Sequence, residues 1–175
     1  MGATGTVSLG SGVQLNTAPR RFAGTVEWIA AVDSAAMAAW IATIPFEEWH
    51  QQRPVGQPLR PAMMTDLRWC GFGAVSAPLV EALLQHFPRC AVHQQMLSVV
   101  MPGDSIPSHK DEQSPRWVCR VHVPLLSNAE SRFVVSGESH HLEPGCAYRV
   151  NTEVKHSVEN PGSTPRIHFM FDVSG

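Results

Sequence analysis

The 175-residue sequence predicts one mainly β domain, a sandwich or small barrel, behind a partly helical N-terminal stretch. From about residue 91 onward, short runs of β-type residues alternate with turn clusters such as PGDSIP, SNAES, EPG and NPGSTP. That texture belongs to a sandwich or barrel and not to βαβ units. Residues 1–90 instead place apolar residues at helical spacing. At 43% hydrophobic and 16% charged, the chain can fill one core and carries too little charge for a disordered tail. The expected organisation is a single domain over 1–175, with 1–90 as an elaboration and 91–175 as the β core.

In chain order, 6–15 and 22–28 read as short strands. Asp33 or Ser34 can cap a helix through Ala35, Met37, Ala38, Trp40 and Ile41 toward Ile44. Pro45 breaks or restarts that helix, and 46–49 (FEEW) continues it. With three prolines and a glycine, 51–61 reads as loop. A second helix is expected from near Ser76, with Pro78 in its first turn and Leu79, Val80, Leu83 and Leu84 on one face, ending before Pro88. The predicted core strands are 93–101, Trp117–Leu126, Arg132–Val135, Cys146–Val150, 156–158 and 166–171.

Composition narrows the function. Thirteen basic against fifteen acidic residues, with no Lys/Arg block, offer no broad face for nucleic acid. No apolar run approaches the ~20 residues of a membrane helix. The opening MGATGTVSLGSGVQLN has no basic region followed by an apolar one, so it does not read as a secretory signal. Cys70, Cys90, Cys119 and Cys146 are far apart and form no C-x-x-C. They read as buried thiols of a reducing compartment, and the expected location is cytoplasmic. Six of the nine histidines fall between 109 and 168.

Ser108-His109-Lys110-Asp111 follows a predicted strand and the turn 102–107. In extended chain, residues i and i+2 share a side, so His109 and Asp111 can face one metal ion. Alone the pair is weak, because nine histidines and fifteen acids supply such a pair by chance, and His141-Leu142-Glu143 is a second. What distinguishes the first pair is His156, 47 residues on, and Arg166 ten residues beyond it. Two histidines and one carboxylate leave coordination faces of an iron ion open, two for a chelating 2-oxoacid and one for O2. An always-charged guanidinium suits the far carboxylate of such a cosubstrate.

The ordered set His109-x-Asp111, His156 and Arg166 resembles the Fe(II)/2-oxoglutarate-dependent oxygenases. More narrowly it is similar to the aspartyl/asparaginyl β-hydroxylase-related group, which includes small bacterial proline hydroxylases. The run Arg120-Val121-His122 resembles that group's R-x-H strand. Gly145-Cys146-Ala147-Tyr148-Arg149-Val150-Asn151 resembles its G-x-x-W/Y-x-x-N/D segment, and His156-Ser157-Val158-Glu159-Asn160 with Arg166-Ile167-His168 its H-x-V-x-N and R-I-H pieces. The likeness spans about 91–173. It implies a double-stranded β-helix, a cupin-like jelly roll with flanking helices, and a hydroxylase using Fe(II), 2-oxoglutarate and O2. It further implies His109, Asp111 and His156 as metal ligands and Arg166 on the cosubstrate. Some animal members lack the metal-binding carboxylate; Asp111 puts this chain nearer the proline-hydroxylase pattern. The implied substrate is an amino acid, free or within a small molecule or peptide, and neither nucleic acid nor membrane is an expected partner.

Simpler readings stand beside these. His109 and Asp111 alone could form a surface turn, His156 could be structural, and Arg166 could pair with a surface acid. Arg120 and His122 share a strand face by period two; a buried arginine needs a partner, which a bound dicarboxylate would supply to both. His168 faces the same side as Arg166. His141 and Glu143 could join His156 in an alternative triad. Asn151 and Asn160 read as turn formers. Of the tryptophans, Trp117 is the candidate for a substrate wall, and Arg116, Arg132 and Arg149 are candidate carboxylate anchors. The rival function is a metal-binding cupin-like isomerase or sensor, for which Arg166 is not required.

Overall fold

The structure, a computed structural model, describes residues 19–44, 63–64 and 72–175. The expectations for 6–15, 46–49 and 51–61, with Trp49, Trp69 and Cys70, lie outside them. The elements are β1 (Val26–Ala31), α1 (Ala35–Ile41), β2 (Met63–Met64), α2 (Phe72–Leu84), β3 (Ala91–Val100), β4 (Ser105–His109) and β5 (Trp117–Leu126). They continue with β6 (Arg132–Val135), β7 (Glu138–His140), β8 (Cys146–Val150), β9 (His156–Glu159) and β10 (Arg166–Ser174).

Two antiparallel sheets result, one in the order β1-β8-β5-β10-β3-β2 and the other in the order β4-β9-β6-β7. Val100 and Val150 of the larger sheet pack against Phe133, Val135 and Val158 of the smaller. The larger sheet's other face carries Leu97, Val121, Val123, Phe169 and Phe171, which pack with Met37 and Ile41 of α1 and Leu79 and Leu83 of α2. This is the expected jelly roll with helices on one side. No described helix is long and apolar enough to cross a membrane.

Alternation along β10 sorts the chemistry. Ile167, Phe169, Phe171 and Val173 join the helical core, whereas Arg166, His168, Met170 and Asp172 occupy the other face. In β5, Val121 and Val123 go with the helices, and Arg120 and His122 stand opposite Asp172 and Met170. The interior face of the larger sheet is therefore polar where the helical face is apolar.

Four elements differ from expectation in more than a shift of bounds. The second helix starts at Phe72, placing Pro78 inside it. An interior proline forfeits a backbone bond, but Phe72 anchors the early turn, its ring 5.3 Å from Trp40 and 5.9 Å from Phe169. β4 occupies part of the stretch read as turn; it is the edge of the smaller sheet, where the missing N–H of Pro107 is tolerated. β7 was not expected. It follows a two-residue turn in which Ser136 (φ 52) and Gly137 (φ 85) both take the positive φ that tight hairpins use. β2 is a two-residue addition beside β3.

At α1, Ser34 holds the cap position without a side-chain bond, and Asp33 Oδ1 accepts the Ala35 N–H at 3.0 Å. The 22–28 strand is shifted to Val26–Ala31. Cys119 is buried as expected, with its thiol pushed up to about 12 by desolvation, but Cys90 and Cys146 are only partly buried; all three are free.

Phe72→Ala removes the ring that ties α2 to α1 and β10. It is expected to lower unfolding free energy by about 3–5 kcal/mol, measured by urea denaturation.

Candidate metal centre

Pairing of β4 with β9 sets His109 opposite His156, with ring centroids 4.2 Å apart. Asp111 lies beyond the end of β4, so strand alternation does not place it. Its backbone N–H donates to Thr152 O at 2.9 Å, drawing the β4–β5 loop against the β8–β9 loop. Gln113 Nε2 adds a bond to Thr152 Oγ1 at 2.9 Å. As a result Asp111 Oδ1 is 3.5 Å from His109 Nε2, and Oδ2 is 4.0 Å from His156 Nε2. One donor atom from each of the three residues lies within 4.8 Å of the others, the spread that a shared metal ion requires. Among the described residues no other such group is found.

Local backbone prepares the ligand atoms. His109 Nδ1 donates to Pro107 O at 2.7 Å, and His156 Nδ1 donates to Val154 O at 3.0 Å. A carbonyl can only accept, so each proton sits on Nδ1 and each Nε2 keeps a lone pair for a cation. Burial holds His156 below its ordinary value, favouring the neutral ligand form. Burial by itself raises the Asp111 carboxyl, but its hydrogen bonding and the positive charge of Arg120 beside it outweigh that. Together they bring it down to about 2, so it is ionised throughout the neutral range.

The pocket holding these three runs inward past Arg120, His122, Ser98 and Arg166, with Ile106, Phe133, Val158 and Met170 as apolar walls. Arg166 is 2% exposed. Its Nη2 donates to His168 Nδ1 at 3.0 Å, and its guanidinium is 5.7 Å from the Phe133 ring centre. Among the described residues no carboxylate pairs with it, and desolvation pushes it down to about 9. His168 Nε2 and both ring nitrogens of His122 are buried without a hydrogen-bond partner. Unsatisfied buried polar atoms around an uncompensated cation suit an anionic ligand with several acceptor oxygens.

Arg120 is arranged differently. The expectation gave it a bound dicarboxylate as partner; the structure gives it two carboxylates of the chain, Asp172 and Asp111. Trp117 does not line the pocket: a register shift sets it opposite Ser174, and its indole N–H donates to Asp172 Oδ1 at 3.1 Å. The three candidate anchors are also elsewhere. Arg116 donates to Gly175 O and Arg132 to Ala129 O, while Arg149 sits against Phe22, Phe87 and Glu27. His141 and Glu143 are exposed and outside the cluster. Asn160 stitches a turn, donating to Val100 O at 2.8 Å and Thr164 O at 2.9 Å. Asn151 likewise accepts the Glu153 N–H at 3.1 Å.

Three polar residues at the site, Ser98, Thr152 and Asp172, escaped sequence reasoning. Ser98 is a lone hydroxyl in the apolar run MLSVV, and Asp172 a lone acid in FMFDV. In a strand that reads as core, a single polar residue was the available signal.

Solved structures share the architecture. A 2OG-Fe(II) oxygenase family oxidoreductase from Burkholderia pseudomallei superposes with TM-score 0.59 at 16% identity, covering 85% of this chain and 84% of its own. The viral collagen prolyl hydroxylase of Paramecium Bursaria Chlorella virus-1, solved with 2OG, gives TM-score 0.57 at 10% identity, covering 86% and 96%. AviO1 from Streptomyces viridochromogenes Tue57 gives 0.57 at 11% identity, covering 90% and 91%. No curated protein matches the sequence. At these identities the likeness establishes a jelly-roll fold shared with oxygenases.

The sequence carries the assignment further. The aspartyl/asparaginyl beta-hydroxylase family model matches residues 73–175, and the chain belongs to that family, which makes it an oxygenase.

His122 and His168 are held well below the ordinary 6.5, first by burial and then by the charge of Arg166, so they fold as neutral rings. Below about pH 6.5 the unfolded chain therefore binds more protons than the folded one. The stability they contribute is complete above that value and is lost on acidification, at about 1.4 kcal/mol per pH unit for each ring. Urea unfolding of metal-free protein between about pH 7 and about pH 5 measures the slope, and His122→Leu is expected to reduce it by about one proton.

Proposed function

We propose that the chain is an Fe(II)- and 2-oxoglutarate-dependent dioxygenase that hydroxylates an unactivated C–H bond of an amino acid, free or within a small molecule or peptide. The observation carrying this reading is that one pocket joins a two-histidine, one-carboxylate cluster to a buried guanidinium with no carboxylate partner among the described residues. The family's description supports the amino-acid substrate.

His109, Asp111 and His156 would hold the iron. Three protein donors leave positions open, as oxygenase iron requires and a closed structural zinc site does not. Arg166 would take the distal carboxylate of 2-oxoglutarate, with Ser98 and His122 beside it as further polar contacts. When bound, the iron would couple conversion of 2-oxoglutarate and O2 to succinate and CO2 with insertion of one oxygen atom into the substrate C–H bond. The chain's own part is positional. The two Nδ1 bonds hold the imidazoles with Nε2 presented, the Thr152 contact fixes the Asp111 loop, and Ile106, Phe133, Val158 and Met170 exclude water. Three free cysteines suit a cytoplasmic setting.

Succinate formation from 2-oxoglutarate with Fe(II), with and without candidate amino acids, is the direct test, and turnover is expected. Intact metal binding without turnover would favour a metal-binding jelly roll of another function. Asp111→Ala is expected to abolish turnover with the circular-dichroism spectrum unchanged; full activity would remove Asp111 from the ligand set. Arg166→Ala is expected to raise the 2-oxoglutarate requirement by about 30-fold or more, equivalent to about 2 kcal/mol or more. An unchanged KM would argue against the clamp.

A further inference from the structure

We propose that Asp172 is a positioning residue for the metal centre, acting through Arg120 on the Asp111 carboxylate; this rests on the metal-binding reading above. The Arg120 guanidinium lies between two acids. Its Nε and Nη2 donate to Asp172 Oδ1 and Oδ2 at 2.9 and 2.8 Å, a bidentate fork. The remaining arm, Nη1, donates to Asp111 Oδ2 at 2.5 Å. Asp172 is itself held from behind by the Trp117 indole N–H. Side-chain exposure falls along this chain of contacts, from 22% at Asp111 to 10% at Arg120 and 3% at Asp172.

Two physical consequences follow. The first is orientation. A guanidinium is planar, so fixing two of its nitrogens on Asp172 fixes the direction of the third. Nη1 then takes Oδ2, stops the carboxylate from rotating and leaves Oδ1 turned to His109 Nε2. The second is charge. Arg120 alone would set a positive charge against a ligand whose task is to attract a cation. Asp172 cancels that charge, so the trio of Asp111, Arg120 and Asp172 keeps the single negative charge of a metal-binding carboxylate. Arg120 thereby acts as a brace for Asp111.

Arg166 is six residues along the same strand from Asp172, about 20 Å at strand rise. The cosubstrate anchor is therefore separate from the brace.

The test is Mn(II) titration of the folded protein by calorimetry and electron paramagnetic resonance. Asp172→Asn keeps the shape and removes the compensating charge. Mn(II) binding is expected to weaken by about 10–100-fold, while KM for 2-oxoglutarate at saturating metal stays within about twofold. Adding Arg120→Gln to Asp172→Asn removes the now uncompensated cation. The double variant, which restores the charge but not the brace, is expected to bind Mn(II) more tightly than Asp172→Asn and less tightly than wild type, a partial rescue that loss of packing would not produce. Should Asp172→Asn not fold, Trp117→Phe withdraws only the donor behind Asp172, with about a threefold weakening expected. Mn(II) affinity unchanged in the folded single variant overturns the inference and leaves the metal centre standing. A wild-type protein that does not bind Mn(II) overturns both.

Discussion

The centre depends on the register between β4 and β9. His109 and His156 meet only because they are cross-strand neighbours, with their rings turned to the same interior face. A slip of one residue on β9 would replace His156 with Lys155 or Ser157 and send the imidazole to the outside. Neighbouring pairs restrain such a slip. Val135 stands opposite His156 and Phe133 opposite Val158, and these side chains are buried between the sheets. Apolar packing of the smaller sheet therefore sets the distance between two candidate ligand atoms.

The larger sheet performs a different task with the same alternation. One face of β5 and β10 supplies aromatic and branched residues to the helices; the other presents Arg120, His122, Arg166, His168 and Asp172 to the interior. Burying so many polar groups is costly unless each is paired. The two arginines resolve this in opposite ways. Arg120 is paired twice within the chain and belongs to the scaffold of the site. Arg166 has only His168 as a hydrogen-bond partner among the described residues, and its charge is left for a ligand to neutralise. The same residue type is thus paired with two acids in one place and with none of the described acids in the other, and the positions of those acids decide which.

Much of this was legible in advance, for identifiable reasons. Trp117–Leu126, Arg132–Val135 and Cys146–Val150 were read with the bounds the structure shows, because β-rich runs end at strong turn formers. Ordered spacing, not composition, singles out His109, Asp111 and His156, and the structure brings the three together. The misreadings have physical causes as well. Pro78 looked like a helix start because local propensity does not register Phe72 anchored on Trp40 and Phe169. Pro107 looked like turn because nothing local marks β4 as a sheet edge.

Sequence alone determined which residue types could meet a cation and an anionic cosubstrate, and alternation determined that Arg120 and His122, or Arg166 and His168, share a face. Those are properties of a strand as short as three residues. Only tertiary structure decided the partners. That Asp111 is drawn in by Thr152 and that Asp172 lies opposite Arg120 depend on contacts between residues 41 and 52 positions apart, and that no described acid pairs with Arg166 depends on where those acids are held. Such contacts are set by sheet register and loop closure, and no local pattern in the chain encodes them.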